Sequence, residues 1–101
     1  KNIPIFKSEE NGQKDYGRKR VSFYDLSNKK LQRDELNAYT KEQIRIIKNS
    51  IYAMHGYYFT SKDLLEFFNK FVWYLPKKSF SESELNTIER YNIDLLKEME
   101  K

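Results

Sequence analysis

Cysteine is absent from the sequence, and glycine and proline are scarce, with three and two residues among 101. Without cysteine, neither a disulfide framework nor a thiolate metal site is possible. The three glycines are scattered, so the chain has no glycine-rich phosphate loop. There is also no run of about 18 apolar residues, which excludes a membrane-spanning helix in this sequence.

Aromatic and charged side chains are abundant, but they are concentrated in different parts of the chain. Ten of the sixteen aromatic residues lie between Tyr52 and Phe80, so the hydrophobic core is expected to form there. Residues 1–30 carry eight basic and four acidic side chains, whereas residues 31–101 carry eleven of each. The net charge of +4 therefore belongs to the N-terminal segment, and the remainder is neutral.

The spacing of apolar residues predicts an all-α fold, a small bundle of three main helices plus a short helix, with a partly extended N-terminal arm. The predicted helices cover residues 33–39, 41–55, 61–72 and 82–99. The segments that begin at Thr40 and Ser81 have the form of capping boxes, which start the second and the last of these helices. Gly56 is placed to end helix 41–55 in the left-handed conformation, and Pro76 closes the stretch after helix 61–72.

Two regions are predicted: residues 1–30 as a basic arm or linker, and residues 31–101 as the helical domain. Within the arm, Val21 to Tyr24 is β-prone and could pair with Ile3 to Phe6 as a small ribbon. A single four-residue strand is not stable by itself, so this pairing would need support from the helical body.

From about Leu31 to Glu100 the sequence resembles the YARHG domain, a small bacterial domain named after its central motif. The resemblance rests on three blocks that occur in the expected order. They are Asn49, Ile51, Tyr52, Ala53, His55, Gly56 and Phe59; Trp73, Tyr74 and Pro76; and Leu85, Asn86, Ile88, Glu89, Asn92 and Ile93. Met54 is the one visible departure, because the motif has arginine there, and we expect Met54 to fill the core instead.

The resemblance implies a small helical module that is extracytoplasmic and occurs in bacterial envelope proteins beside other domains. It carries over no established catalytic residue and no cofactor. Since the sequence begins at Lys1 rather than methionine, we expect a mature form or a fragment, with membrane association only through parts outside it. The motif residues expected to have a structural role are Asn49, Tyr52, His55, Gly56, Glu89 and Asn92.

No enzymatic activity is expected from the sequence. His55 is the only histidine, and catalytic use would require a nucleophile or a base partner placed beside it. Carboxylate pairs such as Glu82 and Glu84 fall on different faces of a helix, which is typical of surface charge rather than of acid–base machinery. A histidine near a helix C-terminus more often donates to free carbonyl groups.

Protein–protein interaction is the function that the sequence favours, with another bacterial envelope or periplasmic protein as the partner. A neutral body rich in aromatic residues would bind through apolar burial, because aromatic side chains dominate interface energetics. The candidate contact residues are Phe67, Trp73, Tyr74 and Phe80.

The alternative is binding of nucleic acid, or of an anionic polymer or lipid, through the basic run Arg18, Lys19 and Arg20. Three adjacent charges in a loop are more often simply solvated, so nucleic acid is the less favoured partner. The two hypotheses differ in salt dependence, because binding through phosphate contacts falls steeply as salt is raised.

Overall fold

The computed structural model describes residues 4–6, 20–77 and 79–101. In these residues the helices are α1 (Phe23–Asn28), α2 (Arg33–Leu36), α3 (Lys41–Met54), α4 (Lys62–Phe68) and α5 (Thr87–Glu100), with a 3₁₀ turn at Glu82–Glu84. The described part of the chain contains no strand, and an isolated antiparallel bridge joins Pro4 to Ser22. The prediction of an all-α fold with three main helices and a short helix is confirmed, and α1 is a further short helix that was not predicted.

Helices α3 and α5 form the centre of the fold and run antiparallel. At one end Lys48 Nζ lies 2.7 Å from Glu100 Oε2, and at the other His55 Nε2 lies 2.9 Å from Glu89 Oε1. The buried side chains that α3 and α5 contribute to the main core cluster include Ile44, Ile47, Ile51, Ile93 and Leu96, and Leu85 joins them from the segment before α5. The apolar stripe predicted for α3 is confirmed, and each fully buried side chain of this kind contributes about 1.5–3 kcal/mol.

Helix α3 ends in a Schellman motif at Gly56, as the sequence predicts. Gly56 has a φ of +83°, and its N–H donates to the carbonyl of Ala53 at 2.9 Å. The next N–H, that of Tyr57, donates to the carbonyl of Tyr52 at 3.0 Å, which satisfies a second free carbonyl of the last turn. A Cβ at Gly56 would lie 3.0 Å from the carbonyl oxygen of Leu75, so both the backbone conformation and the space favour glycine.

The segment predicted as β-prone, Val21 to Tyr24, is helical in its second half, where this prediction is wrong. Ser22 caps α1: its hydroxyl accepts the N–H of Asp25 at 3.2 Å, and the Asp25 carboxylate accepts the N–H of Ser22 at 3.1 Å. This reciprocal pair outweighs the β propensity of the aromatic residues that follow. Among the described residues, the extended pairing is limited to the bridge described above and to one bond from Ile5 N–H to the Val21 carbonyl at 3.1 Å; Ile3 of the predicted ribbon lies outside these residues.

Helix α1 is packed into the body of the fold. Leu26 is fully buried, as are Leu31 and Leu36 in the segment that follows. Residues 21–28 of the predicted arm therefore share one core with residues 31–101.

Helix α4 is shorter than predicted and ends at Phe68 rather than near residue 72. The N–H of Phe71 donates to the carbonyl of Phe68 at 3.0 Å, which turns the chain out of the helical path. After this turn the rings of Phe71 and Trp73 stack with their centroids 5.3 Å apart. The apolar spacing continues in the sequence past Phe68, but Phe71 and Trp73 become half-buried because the chain turns, and not because the helix extends.

Helix α5 begins at Thr87, five residues later than predicted. The capping box at Ser81 does form, but it starts only the 3₁₀ turn. Leu85 then adopts an extended conformation and is buried. A second capping box starts α5: the Asn86 side chain accepts the N–H of Glu89 at 2.7 Å, and the Glu89 carboxylate accepts the N–H of Asn86 at 2.9 Å.

Candidate functional site

Glu89 is a buried carboxylate that joins α1, α3 and α5. Its side chain is only 4% exposed. The hydroxyl of Ser27 donates to Oε2 at 2.7 Å, while Oε1 lies 2.9 Å from His55 Nε2 and accepts the N–H of Asn86 at 2.9 Å. Hydrogen bonds to a charged group contribute about 1.5–3 kcal/mol each, so this cluster stabilises the junction of three helices.

Asn92 is fully buried and satisfies three backbone groups, one in the last turn of α1 and two in the segment between α1 and α2. Its Oδ1 accepts the N–H of Leu31 at 2.8 Å. Its Nδ2 donates to the carbonyls of Leu26 and Lys29, both at 2.9 Å. A buried amide with all these partners fixes the chain where it leaves α1.

The order of the side chains around Glu89 differs from that of a catalytic triad. A nucleophilic serine needs its hydroxyl hydrogen-bonded to an imidazole, which is in turn held by a carboxylate. Here the carboxylate of Glu89 lies between Ser27 and His55 and contacts both of them. The arrangement connects α1, α3 and α5.

His55 also faces a second, more exposed carboxylate. Its Nδ1 lies 3.9 Å from Glu84 Oε1, and the same oxygen lies 2.8 Å from Lys77 Nζ. The hydrogen bond from Lys77 lowers the pKa of Glu84, so this group remains ionised further into the acid range. His55 thus connects the end of α3 both to α5 and to the turn before it.

The other motif residues of α3 make local contacts. Asn49 donates from Nδ2 to the carbonyl of Arg45, four residues earlier, at 2.9 Å. The ring of Tyr52 lies 5.6 Å from that of Phe80 and 5.9 Å from that of Tyr57, measured between centroids. Met54, at the position where the motif has arginine, is half-buried and packs against the main core.

An exposed charged cluster ties α4 to α3. Arg45 Nη1 lies 2.8 Å from Asp63 Oδ2 and 3.0 Å from Glu42 Oε2. The hydrogen bonds from Arg45 and from the hydroxyl of Ser61 hold the pKa of Asp63 well below its usual range. The same hydrogen bond with Asp63 raises the pKa of Arg45.

The aromatic residues predicted to contact a partner take part in internal packing. Tyr74 is buried, and its hydroxyl donates to the carbonyl of Tyr57 at 2.6 Å. The three others are half-buried, and each has ring contacts within the fold: Phe67, Trp73 and Phe80. These three side chains are therefore only partly accessible to another protein.

Among the described residues, the most exposed large apolar side chains lie beside these aromatic residues, in the segment after α4. Val72 is 94% exposed and Leu75 is 75% exposed. The exposure of these two residues is not recognisable from the sequence alone, because the apolar spacing predicts a helix as far as Val72. The signal that could have identified them is their position on either side of Trp73 and Tyr74, of which the first is half-buried and the second buried.

Part of the predicted basic run lies outside the described residues, namely Arg18 and Lys19. Arg20 is described and is half-buried next to the core residue Val21.

The described part of the chain holds no group of three or more histidine, cysteine, aspartate or glutamate side chains that could bind a metal ion. Among the same residues, none of the helices combines the length and the apolar character needed to cross a bilayer.

The YARHG domain family matches residues 19–101, which is well over half of the chain. The chain belongs to the YARHG domain family. The match begins before α1, and so this YARHG domain includes every helix described above. The domain is of an extracytoplasmic type. Neither the comparison with curated proteins nor that with solved structures gave a match.

Proposed function

We propose that this YARHG domain is a non-enzymatic protein–protein interaction module that docks to, or stabilises, another protein of a bacterial cell envelope. The observation that carries the proposal is the exposure of Val72 and Leu75, two large aliphatic side chains within one short segment. We call residues 70–76 the docking loop. When a partner covers apolar side chains of this kind, the free energy falls, because apolar surface is removed from water.

The docking loop is held in place from within the fold. The ring of Trp73 contacts that of Phe23 at 5.1 Å and stacks on that of Phe71 at 5.3 Å. Tyr74 is anchored by its hydroxyl, and the N–H of Lys77 donates to the carbonyl of Gly56 at 2.8 Å. A loop whose buried residues fix its conformation loses little entropy on binding, which favours affinity.

The arrangement of the motif residues supports a non-enzymatic role. Glu89 and Asn92 use their polar atoms on groups of the same chain, and His55 contacts two carboxylates rather than a hydroxyl. An extracytoplasmic domain with this design fits a location in the periplasm or on the envelope surface, where its partner would also lie.

The experiment is affinity capture from the envelope fraction of the parent bacterium, with the 101-residue chain as bait at low and at moderate salt. The variant Val72→Ser/Leu75→Ser removes both exposed aliphatic groups. The matched control is Tyr24→Ser, because Tyr24 is 53% exposed but lies on α1. Circular dichroism of each bait verifies that it is folded.

The proposal predicts one dominant protein that the wild type and Tyr24→Ser retain at both salts, and that Val72→Ser/Leu75→Ser fails to retain. Equal retention by the double variant would contradict it. So would capture of anionic material only, lost at moderate salt, since that result favours binding by the basic arm.

A further inference from the structure

Residues 4–6, with the sequence Pro-Ile-Phe, lie against the helical body, and we call them the PIF segment. Ile5 is only 5% exposed and belongs to the main core cluster. Its N–H donates to the carbonyl of Val21 at 3.1 Å, and the antiparallel bridge joins Pro4 to Ser22. The segment therefore combines one step of antiparallel pairing with the burial of an apolar side chain.

The next side chain of the PIF segment is held by aromatic rings. The ring centroid of Phe6 lies 5.8 Å from that of Tyr39 and 6.2 Å from that of Phe67. Tyr39 follows α2 and Phe67 belongs to α4, so the segment contacts parts of the body that are far apart in sequence. We call the surface under the segment the PIF groove, formed by Val21, Tyr39 and Phe67.

The walls of the PIF groove are held by contacts that do not involve the PIF segment. The hydroxyl of Tyr39 accepts the N–H of Val21 at 3.1 Å. The ring of Phe67 contacts those of Phe68 and Phe71, with centroids 5.0 and 5.5 Å away. These contacts keep the shape of the groove when the segment leaves it, and a preformed site loses little entropy on binding.

The way in which the PIF segment is attached resembles that of a bound peptide. The family match begins at residue 19, so the groove residues lie within the YARHG domain and the segment lies before it. Residues 7–19, which lie outside the described part of the chain, separate the two in sequence. Binding of an extended segment through backbone hydrogen bonds, with pockets for its side chains, is a recurring mode of peptide recognition.

We propose that the PIF groove is a peptide-binding site of this YARHG domain, and that the chain's own PIF segment fills it in cis. The ligand class is an extended segment in which an aliphatic residue is followed by an aromatic one. The site uses neither Val72 nor Leu75, so it does not depend on the function proposed for the docking loop.

Because the ligand in the groove is part of the same chain, it competes with any free peptide. A segment tethered within one molecule acts at an effective concentration of about 1 mM. If the groove is free in fewer than about one chain in ten, the apparent affinity for a free peptide falls about tenfold. The wild type should therefore bind such a peptide weakly, and a chain without the two apolar side chains should bind it more tightly.

The test is a titration of the isotope-labelled 101-residue chain with the peptide Lys-Asn-Ile-Pro-Ile-Phe-Lys, which repeats residues 1–7, followed by amide shifts in NMR spectra. The variant Ile5→Ser/Phe6→Ser vacates the groove in the full chain. A second peptide, in which the Ile-Phe pair is replaced by two serines, measures binding that does not need these side chains. Circular dichroism verifies that each variant is folded.

We expect Ile5→Ser/Phe6→Ser to bind the Pro-Ile-Phe peptide about tenfold more tightly than the wild type does, with the largest shifts in and around the groove. The serine peptide should bind neither chain as tightly. Equal affinities of the two chains, or equal binding of the two peptides, would overturn the proposal. Loss of the helical circular dichroism in the variant would overturn it as well, because the segment would then be a required part of the core and not a displaceable ligand.

A wall of the groove provides the second variant. In the vacated chain, Phe67→Leu removes a ring that contacts Phe6 and should weaken peptide binding about threefold to tenfold, from the strength of an aromatic pair. The matched control is Tyr58→Leu, because Tyr58 is 59% exposed and is not among the groove residues. It should stay within about twofold of the vacated chain. Equal effects of these two substitutions would contradict the assignment of the groove.

Discussion

Replacement of Asn92 by aspartate should destabilise the domain far more than the same replacement at Asn86. Aspartate at position 92 can still accept the N–H of Leu31, but it can no longer donate to the carbonyls of Leu26 and Lys29. A carboxylate would instead lie against two carbonyl oxygens in a fully buried position. Both the lost donors and the repulsion disfavour the folded state.

The expected loss is a large part of the stability of a domain of this size. A buried polar group left without a partner costs about 1–3 kcal/mol, and two carbonyls lose their donor, so we expect a loss of about 2–4 kcal/mol. The whole free energy of unfolding of a chain this long is about 5–15 kcal/mol. At Asn86 aspartate remains a good N-cap and gives up only one exposed bond, to the carbonyl of Ser27 at 3.1 Å, so the loss there should stay below about 1 kcal/mol.

Urea unfolding at neutral pH measures the difference. Helix content from circular dichroism and the fluorescence of Trp73, the only tryptophan, report on the same transition if unfolding is two-state. Asn92→Asp should shift the midpoint to clearly lower urea than Asn86→Asp does. Free energies of unfolding for the two variants that agree within about 1 kcal/mol would refute the reasoning, since Asn92 would then not act through its buried hydrogen bonds.

Three further variants follow from the structure. Gly56→Ala should lower the free energy of unfolding by about 1–3 kcal/mol in urea, because a side chain is strained at a φ of +83°. Asp63→Asn should flatten the dependence of the melting temperature on pH below about 4. Because the pKa of Asp63 is lower in the folded state, its pairing with Arg45 stabilises the fold above about pH 4, and this stabilisation is lost as the pH falls further. His55→Gln should melt at a higher temperature than His55→Ala, because the amide can still donate to the Glu89 carboxylate, a bond of about 1.5–3 kcal/mol.

For each of these three predictions, one result would contradict the reason given. Gly56→Ala with the stability of the wild type would mean that the left-handed conformation at the end of α3 is not required. The control for Asp63→Asn is Asp34→Asn, because Asp34 is exposed and lies outside the ion pairs described. This variant should leave the pH dependence of the melting temperature in acid unchanged. If His55→Gln and His55→Ala melt together, the contact with Glu89 contributes little.

The sequence predicts α3 well because its signals are local. A capping box at Thr40, an apolar stripe through Ile44, Ile47 and Ile51, and a glycine after the last turn all point to the same helix, which the structure has at Lys41–Met54. The beginning of α5 is harder to predict, because capping boxes at Ser81 and Asn86 occur five residues apart and both form. Which one starts the long helix depends on the burial of Leu85 between them, a tertiary effect.

The polar network could be predicted only in part. Glu89 and Asn92 are recognisable from the motif, but Ser27 carries no signal of its own, and its contact with Glu89 spans 62 residues of sequence. The exposure of Val72 is likewise hidden, since it depends on α4 ending at Phe68. Contacts between distant segments can be predicted only from the tertiary structure. The same holds for the exposure of side chains after a helix that ends early.

Site-specific photocrosslinking in the parent bacterium tests most directly whether the docking loop meets a partner. The photoreactive residue p-benzoyl-phenylalanine replaces Val72 in one strain, Leu75 in another, and the exposed Tyr24 of α1 in a third. We expect one crosslinked envelope protein from positions 72 and 75 and none from position 24. Equal crosslinking at position 24, or none at positions 72 and 75, would contradict the assignment of the docking loop as the binding surface.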